Sequence, residues 1–352
     1  MTVVWSNDIS EKKARLFEAN SSSREEANYI VEDLKLIEHS SMPESVDLAW
    51  ASFPCTDLSL AGSRGGLNSG ASSAYWHFIK SIAAMRDRRP KCIAIENVSG
   101  LATSAAGRDL RSIITSLNGL GYSVDILSID ARRFVPQSRP RLFIVGMLGS
   151  PADDPSASPL RPAWLSTLFD DPRIRTHRTP LPAPPPLLKE GFSQLAERLR
   201  SSDDRWWSGE RVDRFTSSLT PAHYQRLISL TKSTIGEYRT AYRRMRQGEP
   251  RWEIRPDDIA GCLRTARGGS SRQAVVYGDS RGVKIRWMTP REYAALMGAA
   301  DYRVGAASDA DVYSGFGDAV CVPVVTWLAH NVILPNLQDA SARRLEKLIV
   351  AS

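Results

Sequence analysis

The stretch Val46–Cys55 (VDLAWASFPC) carries the strongest fold signal in this chain of 352 residues. Its apolar run Val46–Ala51 has the length of one buried strand, and a serine, an aromatic residue and a proline then end it. At the carboxyl end of such a strand the chain enters a loop, where open α/β sheets gather their reactive groups. Cys55 is therefore a candidate nucleophile, although most single cysteines are simply small buried side chains.

The rest of residues 1–150 alternates short apolar runs with helical patterns, which predicts a parallel α/β sheet. A glycine, Gly121, is expected to end the third helix. The predicted strands are Thr2–Trp5, Val46–Ala51, Cys92–Glu96, Ser123–Ile129 and Arg141–Val145. The predicted helices are Glu11–Ala19, Tyr75–Arg86 and Arg108–Leu120. We therefore expect residues 1–150 to form one α/β domain.

The remaining sequence divides by composition. Residues 151–188 are proline-rich and predict a linker or an extended crossing between domains. Residues 189–286 are rich in arginine and serine with weak periodicity, which predicts a smaller, irregular domain. Residues 287–352 show helical patterns, and their apolar run needs a partner surface, so we expect these helices to return to the first domain. The predicted helices are Pro290–Met297, Val320–Ile333 and Gln338–Val350.

Composition excludes several classes of protein. The four cysteines contain no C-x-x-C pair and the five histidines are scattered, which argues against a disulfide framework and a metal cluster. No run of eighteen apolar residues appears, and residues 1–8 lack a basic segment leading into an apolar one. We expect a cytoplasmic protein without a membrane span or a bound metal.

The charge allows a polyanionic partner without proving one. The formal net charge is +7 and the sequence pI about 9.3. Arginines concentrate between Arg173 and Arg291 with aromatic residues interleaved, as expected of a surface that follows phosphates and stacks on bases. The alternative is a solvated arginine-rich face over an ordinary aromatic core. The interleaved aromatic residues are Trp206, Trp207, Tyr224, Tyr238, Tyr242 and Trp252.

Two further polar groups lie next to predicted strands. Glu96-Asn97-Val98 ends the strand that begins at Cys92, and a single glutamate there is weak support for a site. Gln137-Ser138-Arg139-Pro140-Arg141 precedes the next predicted strand. Because alternate side chains of an extended segment lie on the same face, we expect Arg139 and Arg141 to lie side by side. They could hold an anionic or carbonyl-bearing group, or form surface salt bridges.

Taken in order, these elements resemble the DNA cytosine-5 methyltransferase family: Pro-Cys on a loop, then Glu-Asn-Val, then Gln-x-Arg-x-Arg, then a variable target-recognition region. The closing segment of that family is similar to residues 287–298 and to Gly317-Asp318-Ala319-Val320 with Pro323. The resemblance covers nearly the whole chain except residues 150–255. It implies a Rossmann-like domain dependent on S-adenosylmethionine, with 189–286 as a target-recognition domain.

The resemblance implies the catalytic roles. Cys55 would attack carbon 6 of a cytosine flipped out of duplex DNA, because a thiolate is a soft nucleophile near neutral pH. Glu96, with a raised pKa in a closed pocket, would share a proton with ring nitrogen 3. Arg141 would bond the ring O2, and Arg139 would support Arg141 or the catalytic loop.

The binding residues also come from the resemblance. Asp8 matches the acid on the ribose hydroxyls of the cofactor, with Ile9 beside the adenine, and Asp33-Leu34 matches the acid on the adenine amino group. The other expected cofactor contacts are Phe53, Pro54, Asp318, Ala319 and Val320. The residues expected to contact the DNA are Ser59, Ser63, Arg64, Arg264, Thr265, Gly268, Gly269, Ser270 and Arg272.

This sequence departs from the family pattern at three places. The family opens with a strand and a Phe-x-Gly-x-Gly loop, and nothing of that kind precedes Thr2. We therefore expect that Met1 is an internal methionine, or that a separate chain supplies this segment. Asp318 stands where asparagine is usual, and Cys262 where threonine is usual. An aspartate near the cofactor carboxylate is unfavourable unless protonated or turned away, so we expect weakened cofactor affinity.

Three functions stay open at this level. The first is sequence-specific methylation of double-stranded DNA, with a cognate restriction endonuclease as a further partner. The second is the tRNA-methylating branch of the family, which usually has a smaller recognition region. The third is a non-catalytic DNA-binding remnant or one subunit of a split enzyme.

Overall fold

The computed structural model describes residues 2–20, 28–54, 73–149, 151–265 and 272–338. Some expected site residues lie outside the described residues: Cys55, Ser59, Ser63, Arg64, Gly268, Gly269 and Ser270. The predicted helix Gln338–Val350 lies outside them too, apart from its first residue.

In the described parts of residues 1–150 the chain forms six strands and three α-helices. The strands are β1 (Ser6–Asp8), β2 (Tyr29–Val31), β3 (Leu48–Ala51), β4 (Cys92–Val98), β5 (Tyr122–Asp130) and β6 (Pro140–Leu148). The helices are α1 (Glu11–Glu18), α2 (Ala74–Ala84) and α3 (Arg108–Gly119). Gly121 follows α3 with φ +96°, a left-handed conformation that glycine adopts without strain.

A four-stranded sheet has the order β3-β4-β6-β5. Only β3 and β4 are parallel, because β6 runs antiparallel to both β4 and β5. The prediction of a parallel sheet is therefore wrong for β6. Residues 131–139 are too few for a helical crossover, so they can only close an antiparallel hairpin.

β1 and β2 form a separate parallel pair. In the described ranges neither strand is hydrogen-bonded to β3. The first strand begins at Ser6 rather than at Thr2, which corrects the predicted strand Thr2–Trp5. Val3 and Val4 remain 59% and 49% exposed, so their apolar character does not reflect burial.

β4 is the centre of the core, with every residue from Cys92 to Asn97 buried. Its two faces alternate, as the pleat of a strand requires. Ile93 and Ile95 pack with α2 and α3, whereas Cys92 and Ala94 pack in a second cluster on the opposite face. This rigid strand fixes the position of Glu96 near its carboxyl end.

Residues 151–188 run mostly extended along β5, with the short helix α4 (Ser166–Phe169). Thr176 bridges Val124, and Arg161 donates two hydrogen bonds to the fully buried Asp125 at 3.0 and 2.6 Å. Proline prevents regular structure here, yet the segment is held to the sheet by these contacts.

The following part contains a regular antiparallel sheet, which corrects the expectation of an irregular domain. Its order is β10-β9-β7-β8. In β7, Tyr238 and Thr240 are buried while Arg239 is only half-buried, an alternation that the many arginines obscure in the sequence. The elements are α5 (Phe192–Leu195), α6 (Gly209–Ser217), α7 (Pro221–Leu230), β7 (Glu237–Arg246), β8 (Glu249–Ile254), β9 (Ala274–Asp279) and β10 (Gly282–Trp287).

The last helices pack on the first sheet. They are α8 (Pro290–Leu296), α9 (Asp309–Asp318) and α10 (Val322–Leu328), which continues as a π-helical turn through Ala329–Ile333. Leu328 and Val332 share a cluster with Ala94 and Val145 of the sheet. By length and hydropathy alone the stretch Asp309–Gln338 could cross a membrane, a test that core helices of globular proteins also pass.

Candidate active site

Glu96 and Arg141 form the centre of the site. Glu96 lies near the end of β4 and Arg141 near the start of β6, and Arg141 Nε is 3.1 Å from Glu96 Oε1. The two side chains are 8% and 15% exposed, so solvent screens the ion pair little. Burial raises the pKa of Glu96, opposed by Arg141, Arg139 and a hydrogen bond with Ser52. The carboxyl group thus keeps its proton to a higher pH than an exposed glutamate does.

Asn97 holds the segment that leads to Cys55. Because β3 and β4 are parallel, Ser52–Pro54 and Glu96–Val98 lie at the same edge of the sheet. The buried Asn97 donates through Nδ2 to the Phe53 carbonyl at 3.2 Å. The Phe53 ring packs on Tyr75 in the core, with centroids 5.3 Å apart, while Pro54 is exposed. The chain therefore enters the expected nucleophile position from a fixed point beside Glu96.

Arg139 joins two segments distant in sequence. It is 3% exposed and donates to the carbonyls of Leu263 at 2.9 Å, Gly317 at 3.1 Å and Ala319 at 2.7 Å. Because its guanidinium bonds three backbone carbonyls, Arg139 holds the backbone of two distant segments together in the described part of the site. Arg141 is the arginine that contacts Glu96.

Cys262 is a second thiol within this group. Its Sγ lies 3.6 Å from Arg139 Nη1 and 3.7 Å from Arg141 Nη2. Burial alone would raise the pKa of Cys262, but Arg141, Arg139 and Arg264 outweigh it and the pKa is lowered. The sequence marked Cys262 only as a departure from the family pattern, because its arginine neighbours come from a distant segment.

A close approach of two backbones completes the site. A Cβ atom on Gly317 would lie 2.3 Å from the Thr265 nitrogen, so only glycine fits there. Thr265 donates a hydrogen bond to Asp318, and Gln137 accepts one from the Leu263 backbone at 3.0 Å.

Two further residues expected to contact the DNA lie in the described part of the chain. Arg264 is exposed, and Arg272 donates to the Met288 carbonyl at 3.1 Å.

Four of the expected cofactor residues lie around the β1–β2 pair, whereas Phe53 and Pro54 follow β3. Because these strands are parallel, Asp8 at the end of β1 and Asp33 just after β2 share one edge. Ile9 is 68% exposed, and Leu34, Ala319 and Val320 are half-buried. Lys13 Nζ lies between Asp8 and Asp318, at 3.2 and 3.1 Å. Lys13 carried no signal in the sequence, because its partner Asp318 comes from a distant segment.

These residues fit a nucleoside. Carboxylates accept hydrogen bonds from ribose hydroxyls and from an adenine amino group, and an exposed isoleucine can pack on an adenine ring. Hydrogen bonds from Lys35 lower the pKa of Asp33, so this acid is ionised at neutral pH.

Comparison with known proteins decides the family. The model of the C-5 cytosine-specific DNA methylases matches residues 1–334. The chain belongs to this family. It is therefore a cytosine-C5 DNA methyltransferase.

Curated relatives agree with this assignment. The chain is 27% identical over 356 residues to the Type II methyltransferase M.HpaII of Haemophilus parainfluenzae, covering 96% of this chain and 85% of that protein. It is 24% identical over 332 residues to M.Bsp6I of a Bacillus strain, covering 94% of this chain and 90% of the relative.

Solved structures share the fold. Dnmt2 of S. pombe matches with a TM-score of 0.56 at 14% identity, covering 93% of this chain and 88% of the other. EhMeth of Entamoeba histolytica matches with a TM-score of 0.56 at 15% identity, covering 95% and 89%. At these identities the likeness concerns the fold alone.

Proposed function

We propose that this chain methylates carbon 5 of a cytosine flipped out of duplex DNA, through a covalent bond between Cys55 and carbon 6. The observation that carries the proposal is the buried Glu96–Arg141 pair beside the Ser52–Pro54 segment. An acid with a raised pKa and a fixed guanidinium meet the needs of a pyrimidine ring that accepts a nucleophile.

The steps follow from the residues. The Cys55 thiolate adds to carbon 6, and the displaced electron pair moves toward ring nitrogen 3 and carbon 5. Glu96 gives its proton to nitrogen 3 while Arg141 donates a hydrogen bond to O2, so the developing charge is offset. S-adenosylmethionine supplies an electrophilic methyl group for carbon 5. Loss of the carbon 5 proton to solvent then expels the Cys55 thiolate. Glu96 recovers its proton from nitrogen 3, and the aromatic ring is restored.

We propose that the cofactor lies at the edge formed by β1 and β2. Asp8 would hold the ribose hydroxyls, Asp33 the adenine amino group, and Ile9 one face of the adenine. The segment Gly317–Val320 reaches the same edge through the Lys13–Asp318 ion pair. Lys13 and Asp318 would then face the methionine part of the cofactor.

We further propose that an additional strand joins the two sheets of the first domain. Within the described residues the β1–β2 pair and the sheet that begins at β3 share no backbone ladder. All four residues of β3 are only half-buried, whereas β4 is buried throughout its first six residues. A Phe-x-Gly-x-Gly strand from a preceding segment or a separate chain would satisfy the open edge groups.

The type of substrate can be tested directly. Purified protein is incubated with labelled S-adenosylmethionine and either duplex DNA or tRNA, and methyl incorporation at cytosine is counted. The proposal expects label in duplex DNA and none in tRNA. Label only in tRNA would contradict it, and so would duplex binding without methylation when the Phe-x-Gly-x-Gly segment is supplied. We also propose that the protein acts in the cytoplasm and has a cognate restriction endonuclease as a partner, in agreement with the names of its Type II relatives.

A further inference from the structure

Three tryptophans meet in the domain that contains the antiparallel sheet β10-β9-β7-β8. Trp207, Trp252 and Trp287 have ring centroids 5.0 to 5.9 Å apart. Together with Phe215 they line a cavity of about 280 Å³. Trp252 and Phe215 belong to the buried core of this domain, so the aromatic wall is held rigidly.

Arginines stack on this wall. The Arg211 guanidinium lies 4.2 Å from the Trp207 ring centroid and 5.0 Å from that of Trp287. Arg272 lies 5.3 Å from the Trp287 centroid, and Arg243 lies 5.9 Å from that of Trp252. Arg272 already donates hydrogen bonds to the Met288 carbonyl and the Tyr313 hydroxyl. In the described residues the side chains of Arg211 and Arg243 donate no hydrogen bond, and a guanidinium held over an indole in this way keeps its N–H edge available for a planar or tetrahedral oxyanion.

These three arginines lack counter-charges. Neighbouring arginines of the domain are paired: Arg239 with Glu237 and Arg281 with Asp279. In the part of the chain that the structure describes, no carboxylate lies within 4.0 Å of Arg211, Arg243 or Arg272.

The absence of counter-charges has an electrostatic cost. Burial, followed by Arg214, Arg272 and Arg243, lowers the pKa of Arg211. Like charges held together without a carboxylate repel one another, and a bound anion would relieve that repulsion. The cluster is therefore better suited to an anion than to solvent alone.

Arg272 connects the cluster with α9. Thr265 contacts the segment Gly317–Asp318, and seven residues further along the chain Arg272 bonds the Met288 carbonyl and stacks on Tyr313 with 4.2 Å to its centroid. Arg272 therefore packs against both the tryptophan wall and α9.

We propose that Arg211 and Arg243, held on the Trp207–Trp252–Trp287 wall beside Arg272, bind a backbone phosphate of the substrate DNA. This inference rests on the proposed function, which makes duplex DNA the substrate. The phosphate would fix the recognition domain relative to the catalytic domain while the base is out of the helix.

Salt dependence of binding tests the site. Affinity for a fluorescein-labelled duplex of random sequence is measured by anisotropy across a range of salt concentrations for wild type, Arg211→Gln and Arg243→Gln. The matched control is Arg281→Gln in the same domain, whose side chain is 79% exposed and paired with Asp279. Losing one phosphate contact should reduce the log–log slope by about 0.9, so a fourfold rise in salt should cost each cluster variant about 3.5-fold less affinity than wild type.

The outcomes separate this inference from the proposed function. If both cluster variants keep the wild-type slope, as Arg281→Gln should, the phosphate site is wrong while duplex binding stands. If wild type itself has a slope near zero, duplex binding and this site both fail. Titration of tryptophan fluorescence with inorganic phosphate gives a third arm: saturation by free phosphate without a response to duplex DNA would overturn DNA as the occupant.

Discussion

Lys13 Nζ lies 3.1 Å from Asp318 Oδ2 and joins the first helix to the end of α9. The same ammonium group is 3.2 Å from Asp8. Burial would lower the pKa of Lys13, but Asp318 and Asp8 outweigh it and the pKa is raised, so the lysine stays charged. The unfavourable negative charge expected from Asp318 near a cofactor carboxylate is thus offset by a neighbouring cation.

This pairing predicts a coupled effect on cofactor binding. Lys13→Met should weaken binding of S-adenosylmethionine about tenfold, because Asp318 is left facing the cofactor unpaired. Asp318→Asn should change binding little. The double variant Lys13→Met/Asp318→Asn should recover most of the loss, as isothermal titration calorimetry would measure. Additive single effects would show that the two residues do not act as a pair.

Replacement of Glu96 tests the proton donor. Glu96→Gln keeps the shape of the side chain but cannot give a proton, so methylation should fall by about two to four orders of magnitude with DNA affinity unchanged. Because the pKa of Glu96 is raised, wild-type activity should fall as the pH rises through that pKa. The residual activity of the variant should lack this limb. Activity within about tenfold of wild type would remove Glu96 from the role.

The same raised pKa affects stability. In the folded state Glu96 holds its proton more tightly than in the unfolded chain, so its stabilising contribution is lost as the pH rises above the ordinary glutamate range. Urea unfolding of wild type and Glu96→Gln should therefore favour the variant increasingly toward neutral pH. A difference that does not vary with pH would contradict a raised pKa.

Local signals in the sequence predicted the strands β3 to β6 and the family, but they placed the first strand wrongly and missed β2. The apolar run before Glu96 predicted β4. The pleat of this strand explains why Ile93 and Ile95 lie on the same face. The motif order gave the family, which the family comparison confirms. The antiparallel direction of β6 could not be predicted from its apolar run. Whether two strands are parallel depends on the segment that connects them and not on the residues of the strands.

Long-range neighbours were beyond the sequence. Cys262 lies beside Arg139, and Lys13 beside Asp318, through the return of distant segments to one edge. The four-stranded antiparallel sheet was missed because arginine occupies the half-buried position of β7 between tyrosine and threonine. Periodicity reports burial only where the exposed residues alternate cleanly with apolar ones.

A buried ion pair joins the antiparallel sheet to α8 and predicts a large stability effect. Arg286 on β10 donates to Glu292 at 2.8 and 2.5 Å, and both side chains are fully buried. Arg286→Met should cost about 3–5 kcal/mol of unfolding free energy, because Glu292 keeps a buried charge without a partner. Arg286→Met/Glu292→Gln should lose less. The exposed pair Arg214–Glu210 provides the control: Arg214→Gln should change stability by less than about 0.5 kcal/mol.

The open edges of the first domain predict how the chain responds to an added segment. If a Phe-x-Gly-x-Gly strand belongs between the two sheets, residues 1–352 alone should bind S-adenosylmethionine poorly. A variant extended at its N-terminus by that segment should gain both affinity and thermal stability. Calorimetry at matched concentrations measures both quantities. Micromolar affinity and full methylation by residues 1–352 alone would contradict the added strand.

The central claim is that Cys55 forms a covalent bond with the target cytosine. The direct measurement is irreversible trapping on duplex DNA in which 5-fluorocytosine replaces cytosine, with S-adenosylmethionine present and denaturing electrophoresis as the readout. Fluorine at carbon 5 cannot leave as a proton does, so the adduct should persist. Trapping should be lost in Cys55→Ala, unchanged in the buried Cys92→Ala, and still present in Cys262→Ser, whose thiol has a lowered pKa. Trapping that survives Cys55→Ala, or that disappears only with Cys262, would contradict the account.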